Sequence, residues 1–335
     1  MSLASLRNWR AQWFPPSPTF TEQHLQPQNG RVFIVTGGNA GVGYELVKML
    51  YTTGATIYMA SRSKDRAEKA VETITSAKPS PKTPGSIKIL SLDLSDLDTV
   101  KSAAASFAQQ ESKLDVLWNN AGTGGLNVEV GARTKQGFEA MVGMHCIGAQ
   151  LFTHLLLPQL RAAAADAPKG SVRVIWTASF LADASSPTNG IEFDLLEKGT
   201  SDRARNYAVS KTGNWMLGRE MATRYGGDGI VSVTQNPGNL NTGAYSSMPA
   251  LAMLFIKPVL HDPIFGGYTE LFAGLSPEIS LETNGAYVIP WGRIRLDEDC
   301  PRKDIINALK SEAEGGLGYA TKFWDWCESQ WKPFV

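Results

Sequence analysis

The chain has 335 residues, of which 43% are hydrophobic and 19% charged, enough apolar content to bury a large core and too much for a disordered protein. Its 32 basic and 32 acidic residues cancel, so no net field favours nucleic acid or an anionic membrane surface. The three cysteines are too few and too scattered for a disulfide framework, and neither they nor the four histidines show the spacing of a metal site.

Hydropathy predicts a cytoplasmic protein without a transmembrane segment. No uninterrupted apolar run reaches the roughly 18 to 20 residues of a membrane span, and the first 20 residues lack the apolar centre of a secretory signal. Two stretches leave weak contact with a membrane surface open, namely the aromatic start (Trp9, Trp13, Phe14) and PALAMLFIKPVL at 249–260. Alternatively, both stretches cover the core or a substrate pocket.

Strand-like and helix-like segments alternate from residue 31 onward. Helices are predicted at about 63–77, 96–110, 134–162 and 205–225. The strand-like segments are RVFIVTG, ATIYMAS, SIKILSLDL, LDVLWNNAG, SVRVIWTAS and GIVSVTQNPG. Because these strands hardly alternate between polar and apolar residues, both of their faces should be buried. This pattern predicts an α/β fold with a doubly wound parallel sheet of about seven strands and helices on both faces.

One domain is the simplest organisation. Residues 1–30 are rich in proline and aromatic side chains and are interpreted as an N-terminal arm. Residues 31–335 then form a single Rossmann-type domain that ends in an amphipathic helix over about 302–331. No internal repeat interrupts it.

The segment TGGNAGVG (36–43) follows the first strand and opens a helix, as a dinucleotide-binding loop does. Gly37, Gly41 and Gly43 allow a tight turn and a close approach of the backbone to a pyrophosphate, which the helix amides then hold. Asn39 and Val42 in the same loop are predicted to contact the cofactor as well.

The end of the second strand favours NADP(H) over NAD(H). An NAD-binding Rossmann domain carries an acidic residue there for the ribose hydroxyl, but this chain reads SRSKDR. Arg62 and Lys64 are cations that suit the 2′-phosphate of NADP(H). The alternative is a solvated basic loop.

Further predicted cofactor contacts lie at other strand ends. Asp93 is a candidate for hydrogen bonding adenine. The remaining candidates are Leu94, Asn120, Ala121, Gly122, Pro237, Gly238 and Thr242. Because ligands of such sheets bind outside the carboxyl ends of the strands, these positions converge on one crevice.

YAVSK (207–211) places Tyr207 and Lys211 four residues apart on one helical face. Bringing the pKa of a phenol from about 10 to neutrality takes about 4 kcal/mol. An ammonium about 4 to 5 Å away supplies about 3 to 4 kcal/mol at an effective dielectric constant of about 20. The spacing therefore suits a general acid activated by a lysine, although the same pattern also occurs on ordinary solvated helix faces.

Together, TGGNAGVG, NNAG (119–122), Ser179, YAVSK and NPG (236–238) resemble the short-chain dehydrogenase/reductase family over about residues 30–245. SRSK, TGNWMLGREMA and PWGRI are similar to its retinol-dehydrogenase-like branch in fungal natural-product pathways. The resemblance implies that Tyr207 is the general acid/base, that Lys211 holds the nicotinamide ribose and lowers the pKa of Tyr207, and that Ser179 orients the substrate oxygen.

The resemblance also implies a substrate lid over about 241–275, which contains PALAMLFIKPVL and suggests a lipophilic substrate. The long stretch between Ser179 and Tyr207 is expected to be a surface loop that helps to wall the pocket. One position departs from the family: His145 in GMHCIG stands where an asparagine usually holds the water of the proton relay. We expect a modified relay in which His145 takes part.

These observations predict an NADP(H)-dependent oxidoreductase that interconverts a carbonyl and an alcohol on a lipophilic small molecule. A ketoreductase of secondary metabolism is the favoured form. Retinoid, steroid, polyketide and terpenoid substrates stay open, as does the oligomeric state. The alternatives are a non-redox isomerase or cyclase on the same scaffold, and an NADP-binding protein without turnover.

Overall fold

The computed structural model describes residues 3–335, with side chains from Ser5 onward, so the first two residues of the predicted arm lie outside the described residues. Eight strands form one sheet: β1 (Val32–Thr36), β2 (Thr56–Ser61), β3 (Ser86–Ser91), β4 (Val116–Asn119), β5 (Val172–Thr177), β6 (Ile230–Gln235), β7 (Tyr287–Ile289) and β8 (Arg293–Arg295).

The sheet has the order β3-β2-β1-β4-β5-β6-β7-β8, and strands β1 to β7 pair in parallel. The doubly wound fold is therefore confirmed, but the expected count of about seven strands misses the eighth. Strand β8 is antiparallel to β7 and pairs Arg293 with Ile289 across a tight turn. Every residue of β1, β5 and β6 is buried, as expected for a sheet covered on both faces.

In the described part of the chain, thirteen α-helices surround the sheet: α1 (Leu3–Trp13), α2 (Gly41–Tyr51), α3 (Lys64–Ser76), α4 (Leu97–Gln110), α5 (Ala140–Val142), α6 (Ala149–Leu155), α7 (Leu157–Asp166), α8 (Phe180–Ala184), α9 (Arg203–Tyr225), α10 (Ala250–Ile256), α11 (Pro263–Leu275), α12 (Lys303–Leu309) and α13 (Tyr319–Trp331). Helices α2, α3 and α11 bury apolar side chains against one face. Helices α4, α6, α7, α9 and α13 cover the other face.

Two predicted helices have different bounds in the structure. The helix expected over about 134–162 begins at Ala140, passes through a π-helical turn at Gly143–Gly148 and is interrupted at Leu156. The closing helix expected over about 302–331 is instead two helices, α12 and α13, separated by a glycine-containing turn.

The N-terminal arm begins with α1, which packs onto the domain through the side chains of Asn8 and Gln12, both buried. By contrast, α10 exposes most of its apolar surface: Leu251, Leu254 and Phe255 are each more than two-thirds exposed. This excludes the alternative in which PALAMLFIKPVL packs on the core. Among residues 3–335, no single helix has the length and apolar composition needed to cross a bilayer; one pair bent by 54° passes that test only when its two helices are joined.

Candidate active site

A cleft of about 780 Å³ opens at the carboxyl ends of the parallel strands. Its size is within the range of small-molecule sites, roughly 300 to 1,000 Å³. Strands β1 and β4 neighbour each other at its centre, where the strand order reverses direction and ligands of doubly wound sheets bind.

Nearly all of the predicted site residues line this one cleft. They are Gly37, Asn39, Gly41, Val42, Gly43, Arg62, Asp93, Leu94, Asn120, Ala121, Gly122, Ser179, Tyr207, Lys211, Pro237, Gly238 and Thr242. Two predicted residues, Lys64 and His145, are not in its wall. The structure therefore brings seventeen of the predicted residues together at one cleft and places the side chains of Lys64 and His145 outside its lining.

The glycine loop is held tightly against the end of β4. Gly37 has a positive φ of 68°, and a Cβ on Gly43 would lie 2.5 Å from Nδ2 of Asn120, so neither position tolerates a side chain. Asn120 donates to the carbonyl oxygen of Thr36 at 2.8 Å, which fastens the two strand ends together.

Helix α2 begins at this loop without a side-chain cap. Its N-cap residue is Ala40, whose side chain has no oxygen to accept the amide protons of the first turn. Such open amides at the positive end of a helix dipole suit a phosphate. The geometry of this loop therefore suits the pyrophosphate of a dinucleotide.

The cations at the end of β2 differ in position from the expectation. Arg62 lines the cleft, but Lys64 is the first residue of α3 and points away, with its ammonium 3.7 Å from the carboxylate of Glu68. Arg66, one helical turn after Arg62, lines the cleft in its place. Among the described residues, neither arginine forms an ion pair, so both guanidinium groups are available to an anionic ligand.

Asp93 also lies in the cleft wall, but one of its carboxylate oxygens is already occupied. Oδ1 accepts hydrogen bonds from the amide and the hydroxyl of Ser95, at 2.9 and 2.6 Å. The second oxygen remains for an adenine amino group, so the predicted role is compatible with this geometry.

Ser179 and Tyr207 face each other across the cleft. Ser179 is the N-cap of α8, and its Oγ accepts the amide of Leu181 at 3.3 Å. Ser179 also lowers the pKa of the Tyr207 phenol, which partly offsets the effect of burial on that phenol. Burial nevertheless raises the pKa of Tyr207 to about 12.

Lys211 lies close to Tyr207 but acts on it differently from the expectation. Its Nζ is 5.7 Å from the centroid of the Tyr207 ring and donates to the carbonyl oxygen of Thr177 at 2.9 Å. Burial lowers the pKa of Lys211 to about 8. Burial has the largest effect on the pKa of Tyr207, while Ser179 lowers it and Tyr245 raises it. The net shift of the phenol pKa is therefore upward, whereas a lowered phenol pKa was expected.

His145 lies beneath the cleft, in the π-helical turn. Its Nε2 accepts the amide proton of Thr123 at 3.1 Å, so the proton of a neutral imidazole is on Nδ1. Nδ1 is 2.8 Å from Oγ of Ser210, whose own proton goes to the carbonyl oxygen of Tyr207. Burial and the charge of Lys211 hold the pKa of His145 well below its usual range. The imidazole is neutral and both of its nitrogens are hydrogen-bonded, so neither nitrogen is free for a proton relay.

The lining of the cleft includes several apolar side chains, among them Trp13, Phe180, Leu181, Met248 and Ile256. The stretch between Ser179 and Tyr207, expected to wall the pocket, contributes no residue from 182 to 203 to the lining. Instead it packs against the C-terminal helices, for example through the amide of Asn189, which donates to Asp304 at 2.9 Å.

Comparison with known proteins identifies the family that this geometry suggests. Residues 31–190 match the family model described as short chain dehydrogenase. The chain is 49% identical to the short-chain dehydrogenase/reductase iacJ of Pestalotiopsis fici, over 99% of this chain and 100% of that protein. It is 43% identical to the short-chain dehydrogenase/reductase bet4 of Neocamarosporium betae, over 97% and 93% of the two chains. The chain belongs to the short-chain dehydrogenase/reductase family.

Solved structures support the fold of this short-chain dehydrogenase/reductase. An NADPH-bound carbonyl reductase from chicken fatty liver has a TM-score of 0.59 at 22% identity, and the match covers 80% of this chain and 99% of that one. The NADP complex of RhlG from Pseudomonas aeruginosa has a TM-score of 0.60 at 20% identity, with 78% and 95% covered. At these identities the likeness establishes the fold alone.

Sequence reasoning missed several residues of the site. Arg66 had a usable signal, because it belongs to the same basic segment, SRSKDR, as Arg62 and Lys64. Tyr245 had none: only the folded chain brings it beside Tyr207, where it adds to the rise in the phenol pKa. Trp13 was named only as part of the aromatic start of the chain, for which covering the core or a substrate pocket was one alternative, and the structure places it in the cleft lining.

Proposed function

We propose that the protein is an NADP(H)-dependent oxidoreductase that interconverts a carbonyl and an alcohol on a lipophilic small molecule, in the manner of a ketoreductase of secondary metabolism. The observation that carries the proposal is the convergence of Ser179, Tyr207 and Lys211 on one cleft with the uncapped N-terminus of α2. We further predict a cytoplasmic location and the single-domain organisation with a lid over about 241–275.

In the reductive direction, the reduced nicotinamide supplies a hydride to the carbonyl carbon when bound. Ser179 donates a hydrogen bond to the substrate oxygen, and Tyr207 transfers its phenolic proton to it. The high pKa of Tyr207, about 12, keeps the phenol protonated at neutral pH, as an acid requires. Lys211, with a pKa of about 8, is charged there and stabilises the negative charge left on the phenol.

Preference for NADP(H) is supported by Arg62 and Arg66. Both guanidinium groups lie in the cleft wall at the end of β2, where an NAD-specific site would have a carboxylate. An arginine binds phosphate through two parallel hydrogen bonds, which makes the pair suited to the 2′-phosphate. Among fold neighbours, an L-sorbose reductase from Gluconobacter frateurii was solved with NADPH, whereas a 3-ketoacyl-(acyl-carrier-protein) reductase from Brucella melitensis was solved with NADH.

A lipophilic substrate is supported by apolar side chains of the cleft beside Ser179. Phe180 and Leu181 follow the serine directly, and the Trp13 ring packs against Phe180 at 6.1 Å between centroids. The one polar atom of these three side chains is the indole Nε1 of Trp13, which has no hydrogen-bond partner among the described residues. The non-redox alternative relied on an unusual His145. That imidazole is neutral and both of its nitrogens are hydrogen-bonded, so no observation favours the non-redox alternative.

The proposal is tested with purified protein, NADPH and two lipophilic carbonyl probes, menadione and decanal, by following the absorbance of reduced nicotinamide. The parent protein is expected to oxidise NADPH in step with formation of decanol from decanal and, with oxygen excluded, of the hydroquinone from menadione. Tyr207→Phe should lower kcat by about 10²- to 10⁴-fold while NADPH still binds, since only the acid is removed. Unchanged turnover in Tyr207→Phe, or product formed without net loss of NADPH, would contradict the proposal.

A further inference from the structure

The helix that carries Ser179 is very short and depends on its surroundings for its position. Helix α8 has five residues and is capped by Ser179 itself, so any tilt of α8 moves the Oγ that should hold the substrate oxygen. Its only buried charge is Asp183, which is 6% exposed. The Asp183 carboxylate is bound by Arg295 at 2.5 Å.

The thiol of Cys300 lies 3.9 Å from Oδ1 of Asp183, and helix α1 supplies two further hydrogen bonds to that carboxylate. Gln12 donates to Oδ2 of Asp183 at 3.1 Å, and Asn8 donates to the same oxygen at 3.3 Å. Gln12 also donates to Oδ1 of Asn8 at 2.7 Å, so the two side chains are locked together. Asn8 and Gln12 are one helical turn apart, which places both on the buried face of α1.

Gln12 also reaches the turn that follows the neighbouring strand β6. Its Oε1 accepts a hydrogen bond from Nδ2 of Asn236 at 2.6 Å. Asn236 in turn accepts the amide of Gly238 through Oδ1, at 3.1 Å, and so shapes the turn that contains Pro237. A fully buried glutamine with every polar atom satisfied thus connects the serine helix to the Asn236–Gly238 turn.

The position of α1 is itself fixed by the rest of the domain. Arg293 donates to the carbonyl oxygen of Ala11 at 2.6 Å, and the His261 ring is 2.9 Å from the carbonyl oxygen of Trp13. The Trp13 ring packs edge-on against Phe180 of α8, with centroids 6.1 Å apart. The helix is therefore held from outside the cleft and can transmit its position to α8.

Other contacts near α8 do not involve the Asp183 carboxylate and Asn236 together. The amide of Ala178 donates to the carbonyl oxygen of Gln235 at 2.7 Å, which joins the ends of β5 and β6. Arg302 donates to the carbonyl oxygen of Asp183 at 3.1 Å, and the Tyr287 hydroxyl donates to the carbonyl oxygen of Ser179 at 3.5 Å. Both hold the backbone from the side of the C-terminal segment. Among the described residues, Gln12 is the side chain that joins Asp183 to Asn236 directly.

We propose that Gln12, supported by Asn8, is a positioning residue that sets the spacing between Ser179 and the Asn236–Gly238 turn, so that helix α1 completes the active site. This inference rests on the proposed function, because it assigns Ser179 its role there. It predicts an effect on kcat that exceeds any effect on cofactor binding.

The test compares Gln12→Met with Gln150→Met in the full chain. Gln150 is a matched control because it is 1% exposed and also makes two buried hydrogen bonds, to Trp324 and from Trp331. It does not line the cleft. Both variants should lower the melting temperature. With menadione and NADPH well below that temperature, only Gln12→Met should lower kcat, by about 10-fold or more, with the KM for NADPH within about twofold of the parent.

A kcat for Gln12→Met within about twofold of the parent, or an equal loss in both variants, would overturn the proposal. If Gln12→Met does not fold, Asn8→Ala takes its place under the same criteria. Should the parent protein fail to turn over either probe, the proposed function fails and amide hydrogen exchange decides the positioning separately. Faster exchange at residues 181–184 in Gln12→Met but not in Gln150→Met would support it, and equal exchange would refute it.

Discussion

The ammonium of Lys211 donates to the carbonyl oxygen of Thr177 at 2.9 Å, and the amide of Asn214 donates to the same oxygen at the same distance. Thr177 ends β5 two residues before Ser179, so this carbonyl ties the lysine of α9 to the strand that presents the serine. Because the ammonium of Lys211 is hydrogen-bonded to a carbonyl oxygen and not to a carboxylate, burial has the largest effect on the pKa of this lysine.

We predict that reduction slows above pH about 8 because Lys211 loses its charge there. The lysine pKa is lowered to about 8, so the ammonium is present below that pH and is lost as pH rises through it. With full dependence on the charge, kcat falls about 10-fold per pH unit in the alkaline limb. Tyr207 cannot cause this break, because its pKa of about 12 keeps it protonated throughout. A profile of kcat from pH 6 to about 10 checks this.

The control for the pH profile is Lys211→Arg, which keeps a cation that does not titrate in this range. Its kcat should be lower because of altered geometry, but it should show no break near pH 8. A parent profile that stays flat to pH about 10 would refute the role given to the ammonium.

Substitution of the arginines at the end of β2 should separate the two cofactors. Arg62→Ala and Arg66→Ala are each expected to raise the KM for NADPH about 10-fold or more and to leave the KM for NADH within about twofold, because only NADPH carries the 2′-phosphate. Lys64→Ala is the matched control, since its ammonium pairs with Glu68 outside the cleft. Steady-state kinetics with each cofactor measure these KM values. An equal effect on NADPH and NADH would show that the arginines act on something other than the phosphate.

Replacing His145 by asparagine should cost stability more than activity. The imidazole makes two buried hydrogen bonds as a neutral group, so losing one should lower the free energy of unfolding by about 1 to 3 kcal/mol. The kcat of His145→Asn should stay within about 10-fold of the parent, with no change in the pH profile between about 5 and 8. Thermal unfolding and the pH profile measure these two effects. Complete loss of turnover in a folded variant would instead give His145 a chemical role.

Glu270 should make the protein less stable as pH rises. Its carboxyl is fully buried, and burial raises its pKa from 4.5 to about 8. Its Oε1 accepts from Gln235 at 2.7 Å, while its Oε2 and the Oε1 of Gln235 have no partner among the described residues. A proton on Oε2 of Glu270 would allow that oxygen to donate a hydrogen bond to Oε1 of Gln235. The protonated acid is therefore stabilising below pH about 4.5, and the contribution, on the order of 4 kcal/mol, is lost as pH rises toward 8.

The matched substitution is Glu270→Gln, whose amide supplies a donor at every pH. It should equal the parent at pH about 5 and exceed it in melting temperature at pH about 8. Thermal unfolding at the two values checks the difference. If the difference in melting temperature between Glu270→Gln and the parent is the same at both pH values, Glu270 does not titrate between those pH values.

Much of the fold could be predicted because its signals are local. Buried parallel strands read as unbroken apolar runs, and the glycine loop between β1 and α2 has a recognisable spacing. The eighth strand escaped prediction because β8 is only three residues long and lies beside a turn. Lys64 was chosen over Arg66 because which side chains face the cleft depends on where α3 begins, and a change of two residues rotates a side chain across the helix.

The sequence by itself determined the family, the doubly wound sheet and the cleft that holds Ser179, Tyr207 and Lys211, since these depend on residue patterns within single elements and on the rule that ligands bind at strand ends. Only the tertiary structure decided the protonation of Tyr207, the neutral state of His145 and the packing of α1 against the serine helix. Those properties arise from burial and from contacts between residues far apart in the chain, such as Gln12 and Asn236, which are 224 positions apart. No local pattern records such contacts.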